Sequence, residues 1–174
     1  MNGGSKDGNP GKILVATDGS HDAASAVHRA VGMARAFDAE LFLVHVVPVS
    51  SPYRMSGGDF DEGPSLYEED TDRARALLDE QARLAQEDGV QISGTYLKSG
   101  EPAAEVVALA EMMGADLIVA GGRGMSPLRR PIGSVSGSIA AHAHCPVLVV
   151  RDTNGGQNGA VDAGGERKRR GGNA

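Results

Sequence analysis

The chain has no tryptophan, and phenylalanine, tyrosine and tryptophan together make up only 3% of its 174 residues. A core built on stacked rings is therefore excluded. It must come from Val, Leu, Ile, Ala and Met, a palette that suits a parallel sheet covered by alanine-rich helices. A single cysteine excludes an intramolecular disulfide and any multi-cysteine zinc site. No apolar run approaches the roughly 20 residues of a membrane span. The opening residues, MNGGSKDGNPGK, hold no apolar stretch of the kind a secretory leader carries. The expectation is a cytoplasmic protein with no membrane partner. Positive charge is scarce as well: 17 Lys and Arg against 23 Asp and Glu leave a net charge of −6, which argues against broad nucleic-acid binding.

What is present suits one domain. Residues 1–10 and 152–174 are dominated by Gly, Asn and charged residues, too little apolar area to offset the entropy of ordering. They are expected to be disordered tails around one folded domain over 11–151. The basic run Arg167-Lys168-Arg169-Arg170 reads as a solvated tail segment, with a weak contact to an acidic partner as the sharper alternative.

Within the domain, short continuous apolar runs alternate with helical patterns. Buried strands are expected over 12–16, 40–47, 115–120 and 146–151. Residues 90–98 (VQISGTYLK) alternate and predict a half-buried strand near an edge. Helices are expected over 23–37, 66–88, 102–113 (proline in the first turn) and 134–144. Residues 48–64, rich in Pro and Gly, form a long loop of the sort that serves as a lid or binding segment. The order β-α-β-α-β-α-β-α-β implies right-handed crossovers and an α/β fold: one open, parallel, five-stranded sheet with helices on both faces. Ligands of such sheets sit beyond the carboxyl ends of the strands, at the switch point of strand order. The loops to inspect are those after Ala16, Val47 and Ala120.

Residues 121–136 read GGRGMSPLRRPIGSVS. Glycines directly after a strand let backbone approach a ligand closely. A second Gly-Ser, Gly133-Ser134, opens a helix whose first amides lack internal partners and carry partial positive charge, a natural seat for phosphate oxygens. Ser134 and Ser136 add hydroxyls, and Arg123, Arg129 and Arg130 add positive charge. The loop is not G-x-x-x-x-G-K-[ST], so no lysine is placed for the β/γ-phosphates. Nor is it a dinucleotide fingerprint, which follows the first strand, where this chain has Thr17-Asp18-Gly19-Ser20. Asp18, at the end of the first strand, either accepts hydrogen bonds from a ribose hydroxyl or purine amino group or caps the next helix, a role for which Ser20 competes.

Taken in order, several segments resemble the universal stress protein family: 12–20 (KILVATDGS), 43–46 (LVHV), 118–124 (IVAGGRG), 133–136 (GSVS) and 142–150 (HAHCPVLVV). The resemblance covers about 11–151. It implies a Rossmann-like, adenine nucleotide α-hydrolase-like sheet of strand order 3-2-1-4-5. The ATP-binding branch of that family carries G-x2-G-x9-G-[ST]. Here Gly121, Gly124 and Gly133-Ser134 satisfy its ends, with eight intervening residues (125–132) rather than nine. The resemblance implies ATP, ADP or AMP as ligand, with a Mg²⁺ ion bridging the phosphates. Ala16 and Asp18 would line the adenosine, with Thr17 and Ala120 at the same strand ends. The backbone of Val46 would bond the adenine edge. Gly121 would touch ribose, and Gly124, Gly133, Ser134 and Val135 would hold phosphates, with Arg123 and Ser136 beside them. It also implies a homodimer through the last strand, Val147–Val150, an apolar edge that is a liability if unpaired.

Three functions follow. The leading one is a nucleotide-binding stress-response or regulatory protein with at most slow ATP hydrolysis. A nucleotide hydrolase or adenylylating ligase loses ground, because the Ser-Gly-Gly-x-Asp-Ser loop of such ligases is absent and no residue stands out as a general base. A nucleotide-free dimeric interaction module of the same fold is the third. His142 and His144, two apart, share no helix face and are read as surface or helix-end residues. Cys145 is read as a small boundary residue, His45 as a satisfied core histidine, and Met112 and Met113 as packing residues. No protein-held metal site is expected.

Overall fold

The computed structural model describes residues 8–48, 66–124 and 132–152, without the side chains of 66–69. The expectations for 1–7, for most of the 48–64 loop, for Arg129 and Arg130, and for 153–174 lie outside the described residues.

Five strands, β1 (Lys12–Ala16), β2 (Glu40–Pro48), β3 (Ile92–Gly100), β4 (Leu117–Gly121) and β5 (Val147–Val150), alternate with four helices. The helices are α1 (His21–Phe37), α2 (Leu66–Glu87), α3 (Pro102–Met113) and α4 (Ser134–His142). All four strand pairings are parallel, in the order β3-β2-β1-β4-β5. The expected fold class and strand order are thus what the chain adopts. Order reverses between β1 and β4, which opens a crevice at the carboxyl ends of those strands.

The apolar runs are continuous because the central strands are covered on both faces. Ile13, Val15, Leu41, Leu43 and Val119 pack with α1 residues Ala26, Val27, Ala30 and Val31. Leu14, Val44, Ile118 and Ala120 pack on the other face with Val106 and Leu109 of α3 and Ile139 of α4. The alanines of α1 at helical spacing let that helix lie close to the sheet.

Helix ends follow local chemistry. Ser20 is the N-cap of α1, accepting from the Ala23 amide, so the helix begins at His21. Glu101 caps α3 through the amides of Ala103 and Ala104, with Pro102 at the first helical position. The fourth helix stops at His142 instead of 144, with Ala143 already extended. The expected edge strand is indeed at the edge, starting at Ile92 with a register irregularity opposite Leu41/Phe42.

Candidate functional site

The crevice is framed by β1, β2 and β4. Ala16 pairs with Val44 on one side and Ala120 on the other, and the Thr17 amide adds one more rung by donating to the Val44 carbonyl at 2.9 Å. Beyond that rung β1 turns away. Backbone groups of residues two apart point the same way along a strand, so the amide and carbonyl of Val46 face the space that β1 has left. That is the position in which a purine edge could be bonded by main chain. His45 closes the turn below: its Nδ1 donates to the Thr17 carbonyl at 2.7 Å, which makes it a satisfied, half-buried histidine.

The turn after β1 is organised by its own side chains. One Asp18 oxygen accepts from the Ser20 amide at 2.9 Å, a local turn of the kind aspartate favours. The other lies against Gly124: a Cβ placed on that glycine would be 2.7 Å from Asp18 Oδ2. The two roles left open for Asp18 thus separate. Ser20 caps the helix, while Asp18 shapes the turn and presents its exposed carboxylate to the glycine turn.

The two glycine turns touch. The Gly133 amide donates to the Gly122 carbonyl at 2.7 Å, and the Cβ position of Gly133 lies 3.8 Å from the Gly124 nitrogen. The Gly122 amide donates to the Val150 carbonyl at 2.6 Å, which hangs the first turn on the end of β5. Gly133 is the N-cap of α4 and, as a glycine, offers no side-chain bond to the first amides of that helix. Of the expected site residues, Gly124 lies beside Gly133 at this junction, and Ser134 and Val135, both exposed, open α4 next to it.

Other expected site residues sit behind it. Gly121 is packed against α1: a Cβ there would be 2.7 Å from the Ala23 nitrogen and 2.8 Å from the Asp22 carbonyl carbon. Its carbonyl accepts from the buried hydroxyl of Ser136. The Arg123 guanidinium does not reach over the glycine turn; its Nε pairs with Asp22 at 3.2 Å, and its Nη2 donates to the Asp152 carbonyl at 3.4 Å. Among the described residues five polar or charged residues are buried, and four of them, Thr17, Ser20, Asp22 and Ser136, ring this end of the sheet. None leaves a buried side-chain polar atom without a partner. Ser20 joins two elements, capping α1 while its Oγ donates to the Arg123 carbonyl at 3.2 Å. Sequence reasoning missed Asp22. An acid in the first turn of a helix is ordinary there, and nothing local announces its partner 101 positions away.

A model of the universal stress protein family matches residues 10–151. The chain belongs to the universal stress protein family. A universal stress protein of Methanocaldococcus jannaschii is 39% identical over 142 residues, covering 80% of this chain and 81% of the relative. Among solved structures, a universal stress protein in complex with cAMP is similar with a TM-score of 0.60 and 28% identity, covering 82% of this chain and 98% of that one. One from Archaeoglobus fulgidus in complex with dAMP has a TM-score of 0.59 and 25% identity, covering 80% and 96%.

Elsewhere, a groove of about 680 Å³ runs between α1 and the end of β5, lined by Arg29, Met33, Phe37 and Val150 among others; it includes none of Ala16, Asp18, Val46, Gly124 and Gly133. Among the described residues no group of three or more His, Cys, Asp or Glu residues could hold a metal ion, and no helix is long and apolar enough to cross a membrane. His142 bonds the Ser138 carbonyl at its helix end. Cys145 is half-buried, its thiol pushed up by burial and then by the negative charge of Asp116.

Proposed function

We propose that the chain binds ATP in this crevice and works as a stress-response or regulatory protein in the cytoplasm, with hydrolysis slow at most. The observation that carries the reading is the junction of the two glycine turns, Gly133 N–H to Gly122 carbonyl, beside the open end of β1. It gathers main-chain donors at one mouth, where a helix N-terminus favours negative charge. Adenine bonds the backbone of Val46, with Ala16, Thr17 and Ala120 forming the floor and Asp18 meeting the ribose. The phosphates take the amides of Gly124, Ser134 and Val135 and the Ser134 hydroxyl. Gly121, Gly133, Arg123 and Ser136 act one layer back, because their polar groups and close contacts are already engaged within the protein. Relatives solved with cAMP and dAMP support an adenine nucleotide as the ligand class.

A Mg²⁺ ion fits only as a companion of the phosphates, held by them and by water. Asp18 is the one carboxylate within reach of Gly124 among the described residues. The apolar strand β5 is half-buried throughout and forms one edge of the sheet. Its pairing with the same strand of a second copy gives a homodimer and removes an aggregation-prone edge.

Thermal unfolding with ATP, ADP, AMP and cAMP, each with and without Mg²⁺, tests the reading. A ligand at one hundred times its Kd stabilises by about 2.7 kcal/mol, roughly 5–10 °C for a domain of this size. Gly124→Val, which fills the approach to Asp18, is expected to abolish the shift. A full shift in that variant would remove the glycine turn from the site, and no shift with any nucleotide in the parent protein would favour an interaction module instead.

A further inference from the structure

The buried acid at the start of α1 has a geometry that helix formation alone does not require. Asp22 is only 5% exposed, and both of its oxygens are used. Oδ2 pairs with Arg123 Nε at 3.2 Å, and Oδ1 accepts the Asp152 amide at 3.2 Å. Arg123 also donates to the carbonyl of Asp152 at 3.4 Å, so the three residues form a closed ring of contacts. The ring joins three elements: the first turn of α1, the glycine turn after β4 and the residues after β5. It is extended by His21, whose Nε2 lies 3.1 Å from Asp152 Oδ2, and by Ser25, whose hydroxyl donates to the same carboxylate at 3.4 Å.

We propose that Asp22 is a positioning residue for the phosphate-facing turn: through Arg123 and the Asp152 amide it sets the angle at which the Gly124 amide meets a phosphate. The inference rests on the nucleotide reading above and adds a residue to it. Arg123 is the residue directly before Gly124, so fixing its side chain fixes the peptide that supplies the Gly124 N–H. Its carbonyl is held from the other side by Ser20 Oγ at 3.2 Å, which leaves that peptide little freedom to rotate. A guanidinium with planar, forked donors can bond the carboxylate and a backbone carbonyl at once, which lysine's single ammonium does poorly. Pulling Arg123 away to contact a phosphate directly would leave a buried carboxylate without its partner, a costly state. The charge of Arg123 therefore serves the ligand through the backbone it orients.

The test compares the parent protein with Asp22→Asn, Asp22→Glu, Arg123→Lys and Asp22→Asn/Arg123→Gln, measuring affinities for ATP, AMP and adenosine and hydrogen exchange of the amides at 122–124. Asp22→Asn is expected to weaken ATP and AMP roughly tenfold, within the range for residues coupled in one network. Adenosine, which has no phosphate, should bind as before. The double variant should be no worse than the single ones, Asp22→Glu should recover part of the loss, and exchange at 122–124 should rise in Asp22→Asn without nucleotide. Equal losses for adenosine and ATP, or parental ATP affinity in both Asp22→Asn and Arg123→Lys, would overturn the proposal. Should Asp22→Asn not fold, Arg123→Lys alone decides by the same ratio of ATP to adenosine affinity. If the parent binds no nucleotide, the functional reading fails, and the exchange measurement still decides the clasp: unchanged exchange at 122–124 refutes it, raised exchange sustains it.

Discussion

Replacing Gly121 by alanine separates a ligand contact from a packing device. The added Cβ would sit 2.7 Å from the Ala23 nitrogen and 2.8 Å from the Asp22 carbonyl carbon. Both are main-chain atoms of the first turn of α1, so no side chain can swing aside. Reaching ordinary van der Waals contact requires helix and strand to part by at least about 0.7 Å. Ser20 and Asp22 pin that same turn to Arg123, so the movement would strain the bonds around it. Overpacking of this kind costs about 1–3 kcal/mol, and about 2–4 °C accompanies each kcal/mol in a domain approaching this size. The expected fall in Tm without nucleotide is roughly 2–12 °C. Gly124→Ala makes the matched control. Its Cβ would also meet an atom at 2.7 Å, but that atom is Oδ2 of an exposed aspartate that can rotate. Its stability without nucleotide should stay within about 0.5 kcal/mol of the parent, roughly 1–2 °C in Tm, while its ATP-induced shift shrinks. Differential scanning fluorimetry with and without ATP reads both. A Gly121→Ala protein that melts within 1 °C of the parent, or a Gly124→Ala protein that loses as much as Gly121→Ala before nucleotide is added, would refute the assignment of the two glycines to different tasks.

Ser136→Ala removes the buried hydroxyl that donates to Gly121 and leaves that carbonyl short of a partner. Urea unfolding should show a loss of about 1–3 kcal/mol with an unchanged m-value. The Cys145 thiol, held above the ordinary thiol range by burial and by Asp116, should react with iodoacetamide only at higher pH than a small free thiol does. Because a raised pKa keeps the group protonated longer as pH increases, Asp116→Asn should move that profile part of the way back to lower pH; a profile unaffected by the substitution would count against the electrostatic contribution.

How much of this could be read from the residues depends on the range of the interaction. KILVA and ELFLVHVV declare buried strands because both faces of the sheet are covered there, whereas PVLVVR, read the same way, is a half-buried edge strand; Pro102 and Gly114 bracket α3 by local backbone rules. The glycine turn and Gly133-Ser134 are legible as a pair, since their spacing along the chain survives in space as a direct bond. The side-chain tasks were not legible. Arg123 reads as free positive charge next to a phosphate loop, but its partner Asp22 lies 101 positions away and becomes a neighbour only when β4 is laid beside β1. Ser136 reads as a donor for ligand, yet the first turn of α4 points its hydroxyl back at Gly121. Gly121 has the motif's signature and is still consumed by helix packing, a contact visible only once α1 is placed over the strand end.

The bond from Gly122 to the carbonyl of Val150 has a consequence for synthesis. A nascent chain that has emerged only as far as α4 already holds four of its five strands, every glycine of the turn and all of α1, but not the acceptor on which that turn hangs. The crevice therefore completes last, with the arrival of a four-residue strand and the two residues behind it. Until β5 is in place the sheet is nearly finished but its mouth is untethered, and the pairing of that strand with β4 is what closes it.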